Sequence, residues 1–292
     1  MESIEGILLR HSARGMTKLA LELPADFCAR AARQILSWPL GKVALLTGFD
    51  VGGAPETDGP TGTYVMAKAL IKLGFTPVVV SEAPVCAYFN ELHIQTRTVQ
   101  PDDSDDAMGR LLDSLSPVGI VSIERCGRNL HGRYCNMRGV DISKRTSPTD
   151  ELVVQAARRN IPTIGVGDGG NEIGMGNVAH AIARKLTLEP CVVTVDNLVV
   201  ATVSNWGGYG IAAAMGRYAQ EKLLPEFDQI NDFYRFIVER GSVDGTTGRC
   251  EATVDGFSLE TERGVVEALR DGVVSGEDDV RAYIGQMLAE CK

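Results

Sequence analysis

The 292-residue chain predicts an α/β fold: a mostly parallel, Rossmann-like sheet flanked by helices, with a helix-rich carboxy-terminal extension. Two observations carry this expectation. Short β-branched runs alternate with helix-like segments, the pattern of repeated βαβ units. The chemically unusual stretches all follow apolar runs, as expected where the carboxyl ends of parallel strands line one crevice. A hydrophobic content of 44% is ample for a buried core.

In chain order, residues 1–40 read as an amino-terminal helical segment, 41–224 as the sheet core and 225–292 as an extension packing on that core. No low-complexity linker or fixed-period repeat divides them, so a single domain is expected. Strands are predicted at KVALLTG (42–48), TPVVVSE (76–82), GIVSIE (119–124), PTIGVG (162–167), PCVVTVD (190–196) and LVVATVS (198–204). Helices are expected at 61–74, 103–115, 147–160 and 176–186. The third of these has Ser147 to cap it, Pro148 in its first turn, and Asp150 and Glu151 near its positive end.

The totals exclude several functions. With 29 basic and 38 acidic residues the net charge is −9, which argues against nucleic acid as a partner. No apolar run approaches the roughly 20 residues that span a bilayer, and the first residues lack a signal-peptide core, so no membrane association and a cytoplasmic location are expected. Seven cysteines without a CxxC pair point to reduced thiols rather than a disulfide framework. The four histidines show no metal-ligand spacing, which disfavours zinc.

Four loops carry the unusual residues. Gly165, Gly167 and Gly170 satisfy GxGxxG after a strand, but Asp168 and Glu172 would stand where phosphate oxygens approach. No NAD, FAD or ATP is therefore expected. Carboxylates on a glycine-supported turn suit a hard divalent cation such as Mg²⁺ or Mn²⁺. The ETDGP loop adds Glu56 and Asp58 at alternate positions, and Asp50 and Glu124 could join from neighbouring strand ends. The plainer alternative is that Asp58 and Asp168 only stabilise glycine turns. Arg125, Arg128, Arg133 and Arg138 follow the third predicted strand and could grip a carboxylate, or form a solvated basic loop. Asn205 and Trp206, in SNWGGYG, could wall a pocket or pack in the core.

The strings ETDGPTG, IERCGRN with YCNMRGVDI, GDGGNEIGMGNV and SNWGGYG resemble the D-glutamate cyclase family, specifically its carboxy-terminal domain. The resemblance covers roughly residues 41–256 and implies conversion of D-glutamate to 5-oxo-D-proline and water, a hydro-lyase reaction assisted by a divalent cation. On this basis Glu56, Asp58, Asp168 and Glu172 are expected to serve as metal ligands. Asp168 and Glu172, with Asn171 orienting or ligating, form the expected catalytic set. Arg125 and Arg138 are the candidates for the substrate α-carboxylate, and Asn205 and Trp206 for the pocket wall. Animal members of the family are mitochondrial and carry a further amino-terminal region resembling a hydro-lyase. This chain is expected to be a stand-alone version, with its state of homo-oligomerisation open. The rival functions are a metal- or amino-acid-binding sensor and a lactam hydrolase acting on another small acid.

Overall fold

The computed structural model describes residues 2–12, 14–186 and 188–271. The last part of the expected extension, 272–292, lies outside the described residues. The strands in chain order are Lys42–Thr47 (β1), Asp50–Val51 (β2), Ala54–Pro55 (β3), Thr76–Ser81 (β4), Gln95–Thr98 (β5), Gly119–Ile123 (β6), Thr163–Gly167 (β7) and Asn197–Val200 (β8). Six of them form one parallel sheet in the order β5-β4-β1-β6-β7-β8, and β2 with β3 makes a small antiparallel hairpin. Helices flank the sheet, giving the α/β Rossmann-like arrangement.

Chain order runs outward from β1 to one edge, then returns to β6 and runs to the other. The gap between β1 and β6 is thus a topological switch point, where open α/β sheets bind their ligands. The central strands are apolar and buried on both faces: Val43, Leu45, Ile120, Val121, Ile164 and Val166 are inaccessible to solvent. One hydrophobic core runs through them from Ile7 and Leu8 near the amino terminus to Val265 and Val266. Residues 225–271 add the helices Phe227–Val238 and Leu259–Arg270, whose Ile230, Phe233 and Val266 join that core. All six described cysteines are free thiols, and only Cys250 is exposed. No helix among the described residues is long and apolar enough to cross a membrane.

Several expected elements differ. PCVVTVD is not a strand: only Cys191 makes a bridge, to Asn129. Its backbone is matched instead by the preceding loop, with Gly174 and Gly176 N–H donating to Val193 O, and the Asn177 side chain pairing with both N–H and C=O of Val195. The strand predicted over 198–204 ends at Val200, and SNWGGYG is not a loop but the first turns of the helix Ser204–Ala219. Glycines are needed there because this helix crosses the helix Pro60–Lys72 at contact distance; a Cβ on Gly62 would lie 2.9 Å from the Asn205 Cα. Ser147 does not cap the third predicted helix, which begins at Asp150. Its hydroxyl lies between Arg125 and Glu82.

Candidate active site

The carboxyl ends of the central strands deliver three carboxylates to one place. Glu124 follows β6 directly, Asp168 follows β7, and Asp58 comes from the loop between β3 and the helix Pro60–Lys72. One oxygen from each lies within 4.8 Å of the other two. All three are buried, with Asp58 and Asp168 only 1% exposed.

Backbone geometry makes this approach possible. Gly59, at φ 91°, lets the Asp58 loop pass against β6, since a Cβ there would sit 2.9 Å from Glu124 Cβ and from Thr47 Oγ1. Glu124 itself holds φ 45°, an unfavourable backbone for a non-glycine residue that fits a site where geometry is over-determined.

The amino terminus of the helix Ser204–Ala219 holds the trio from below. Ser204 N–H donates to Asp58 Oδ2 at 2.9 Å and to Asp168 Oδ2 at 3.3 Å, while its hydroxyl donates to Glu124 Oε2 at 2.5 Å. Asn205 N–H donates to Asp58 Oδ1 at 2.7 Å. These are orphan donors of a helix end, and the helix dipole favours negative charge beside them.

A cavity of about 410 Å³ opens onto this cluster. Glu56, Glu124, Asp168, Asn171 and Asp255 line it, together with two arginines, Arg14 and Arg138. Arg14 pairs with Asp168 and Asp255. Arg138 is exposed and makes no ion pair among the described residues. Glu172 packs behind the lining, with Oε2 accepting from Gly170 N–H at 2.7 Å. Its Oε1, the Asn171 Oδ1 and the Asp255 Oδ2 are buried without a hydrogen-bond partner. Buried acceptors in that state are costly unless something else meets them.

The predicted site residues separate into two groups. Glu56, Asp58, Asp168, Asn171 and Glu172 converge, Glu124 joins them, and Arg138 stands at the cavity mouth. Arg125, Asn205 and Trp206 do not line this cavity. Arg125 is buried and its donors are occupied: Nη1 and Nη2 each donate to Glu82 at 2.6 Å, Nε to Thr149 Oγ1, and further bonds reach Gly48 O and Ser147. It therefore has no free fork to offer a ligand. Asn205 ties two helix starts together, accepting from Gly59 and Gly62 N–H and donating to Thr57 O and Tyr234 Oη. The Trp206 indole is buried and donates to Glu262, which also accepts from Tyr209 and Tyr234.

The GxGxxG glycines are not followed by a helix start. The chain bends back against residues 125–127, through Gly127 N–H to Asn171 O and Ile173 N–H to Arg125 O. This fold-back is what turns Asp168 toward the helix at Ser204.

Arg14 and Asp255 were not singled out by any motif. Arg14 comes from a short connection between two amino-terminal helices, and Asp255 from the glycine-rich segment before the helix Leu259–Arg270. A local signal existed only for Asp255, which precedes Gly256 in a turn.

Crowding and burial push the carboxyls upward. Burial is the largest cause for each. Asp58 is raised to about 7, with Asp255 adding repulsion. Asp168 is raised to about 8 despite the opposing effect of Arg14. Asp255 also reaches about 8, and Glu56 and Glu124 are raised well above the ordinary range. Between about pH 4 and these values the folded chain holds protons that the unfolded chain has released, so stability falls as pH rises through that window. In the presence of a chelator, the melting temperature is expected to be lower at about pH 8.5 than at about pH 5.5. Thermal melts across that interval check this, and a rise in Tm would mean that the cluster is charged and paired without a cation.

The chain matches the family described as "D-glutamate cyclase-like, C-terminal" over residues 4–270. It is also 44% identical over 100 residues to a human (Homo sapiens) protein, "D-glutamate cyclase, mitochondrial". That alignment covers 33% of this chain and 16% of the human protein, well under two thirds of the relative's length.

Proposed function

The chain belongs to the D-glutamate cyclase-like family, and on that premise we propose that it interconverts D-glutamate and 5-oxo-D-proline plus water, as a hydro-lyase using a divalent cation, Mg²⁺ or Mn²⁺. The observation that carries the reading is the meeting of Asp58, Glu124 and Asp168 oxygens within 4.8 Å at the floor of a cavity. Three carboxylates at that separation repel one another strongly when ionised, and a cation relieves the repulsion. The donor set is all oxygen, as hard cations require, and the unpartnered buried oxygens of Asn171, Glu172 and Asp255 leave room for further coordination or ligand contact.

In this reading Asp58, Glu124 and Asp168 hold the cation, with Glu172 and Asn171 supporting them. When bound, the cation polarises the substrate's side-chain carboxylate and stabilises negative charge on its oxygen. Glu56 lines the cavity without belonging to the trio, which leaves its carboxyl for moving a proton. Cyclisation joins the substrate nitrogen to its side-chain carbonyl carbon and breaks one carbon–oxygen bond. The two protons lost from the ammonium leave on that oxygen as water. A carboxyl with a raised pKa can take the first proton and return it to the departing oxygen. Arg138, which makes no ion pair among the described residues, is available to the α-carboxylate and fixes the chain in the bent form from which attack is intramolecular.

Incubation with D-glutamate and Mn²⁺ or Mg²⁺ is expected to yield 5-oxoproline by mass spectrometry, with loss on chelation and recovery on adding the metal back. Saturable binding of D-glutamate without any product would replace this reading with a sensor.

A further inference from the structure

Arg14 belongs to no motif, yet it is the most engaged cation at the site. Nη1 donates to Asp168 Oδ1 at 2.8 Å, and Nη2 donates to Asp255 Oδ1 at 2.6 Å and to Thr246 Oγ1 at 3.3 Å. The side chain is 28% exposed, whereas its partners Asp168 and Asp255 are 1% and 2% exposed. Arg14 therefore forms a boundary between the buried carboxylates and the open cavity, which it lines. Two further features suit a ligand there. Asp255 is held at φ 52°, and its Oδ2 is buried with no partner. Arg14 and Arg138 are the basic residues that line the cavity, so a molecule with two carboxylates would meet one guanidinium at the mouth and one beside the cluster.

Resting on the cation reading above, we infer that Arg14 is the resident counter-ion of the cluster and that it exchanges partners. Without a divalent cation it donates to both Asp168 and Asp255. A cation held by Asp58, Glu124 and Asp168 places like charge next to the guanidinium and removes its attraction to Asp168. Nη1 is then free to donate to a ligand carboxylate, while Nη2 stays on Asp255. The consequence is an ordered site: the cation binds first and a small dicarboxylate second, with the two affinities coupled through one side chain.

Calorimetry with Mn²⁺ and with glutarate, a dicarboxylate lacking the amine needed to cyclise, tests this on the full chain. The unsubstituted protein is expected to bind glutarate at least about tenfold tighter with saturating Mn²⁺ than without it. Arg14→Gln is expected to bind Mn²⁺ at least about tenfold tighter than the parent, because a competing positive charge is gone, and to lose most of the Mn²⁺-dependent gain in glutarate affinity. An Arg14→Gln protein that binds Mn²⁺ no tighter, or keeps the full gain, overturns the inference while leaving the cation reading intact. Failure of the parent protein to bind Mn²⁺ removes both. If Arg14→Gln does not fold, Arg14→Lys keeps the charge without the fork. Its Mn²⁺ affinity should stay within about threefold of the parent while glutarate binding weakens, and unchanged glutarate binding would overturn the inference.

Discussion

Asp168→Asn is expected to lower cyclase turnover by at least about 100-fold, the lower end of what acid–base groups supply, in a protein that still melts cooperatively near the parent temperature. The side chain sits where charge is disfavoured: burial and Asp58 raise its pKa to about 8 even with Arg14 alongside. A neutral amide of nearly the same shape keeps one acceptor oxygen, enough for either Arg14 or Ser204 N–H, and it relieves repulsion from Asp58. Little stability is therefore at stake, whereas one proposed cation ligand loses its charge. Activity assays, melts and Mn²⁺ titrations on the same preparation separate the cases. Weakened cation binding with lost turnover marks Asp168 as a ligand. Intact cation binding with lost turnover marks it as a proton carrier. Near-parental turnover at saturating metal and D-glutamate would move the chemistry to another loop.

Arg125→Met is expected to act in the opposite way, as a loss of folding rather than of binding. Removing one partner of a buried ion pair typically costs about 3–5 kcal/mol, because the other charge is left uncompensated. Here the abandoned partner is Glu82, whose side chain is 20% exposed, so the lower end of that range is expected; its carboxylate is held below its ordinary range, with burial opposing this and Arg125 and Ser147 supplying the lowering. Urea denaturation should show the full loss without any ligand present. The double variant Arg125→Met, Glu82→Met should recover part of it, since no buried charge then remains. A residue whose task was to grip substrate would instead raise KM and leave the denaturation midpoint unchanged.

Arg125 also marks the limit of what the sequence reveals. An arginine after a strand, in a loop with three others, reads equally as a ligand clamp or a structural strut. The choice depends on Glu82 and Thr149, which no local pattern links to it. Trp206 and Asn205 are similar cases. Three glycines beside them resemble a loop, but they permit close packing, Gly207 on Val166 of the sheet, Gly208 on Gly62 and Gly210 on Leu8, a property of the partner surfaces.

The sheet was more legible because its signal is local. β1, β4, β6 and β7 are apolar runs buried on both faces, and each was recognisable from its own residues. β5, with the sequence QTRT, is a mostly exposed edge strand and carries no such mark. PCVVTVD has strand composition, yet its hydrogen bonds go to a glycine loop, which composition cannot report. The carboxylates were legible because glycine-rich turns after parallel strands must converge. Their counter-ion was not, since Arg14 meets Asp168 across 154 residues and Asp255 across 241.

Those two separations have a kinetic meaning. The sheet strands all lie within residues 42–200, so the framework that presents Asp58, Glu124 and Asp168 is built from comparatively near neighbours. The fork of Arg14 closes only after both flanking segments have docked, and the entropy of closing such large loops is met late. During synthesis from the amino terminus, Asp58, Glu124 and Asp168 are made before Asp255. The Arg14–Asp255 bridge thus joins partners that are made far apart in the chain. If the cluster binds a divalent cation as proposed, that ion needs no such closure and would favour the assembled cluster by mass action.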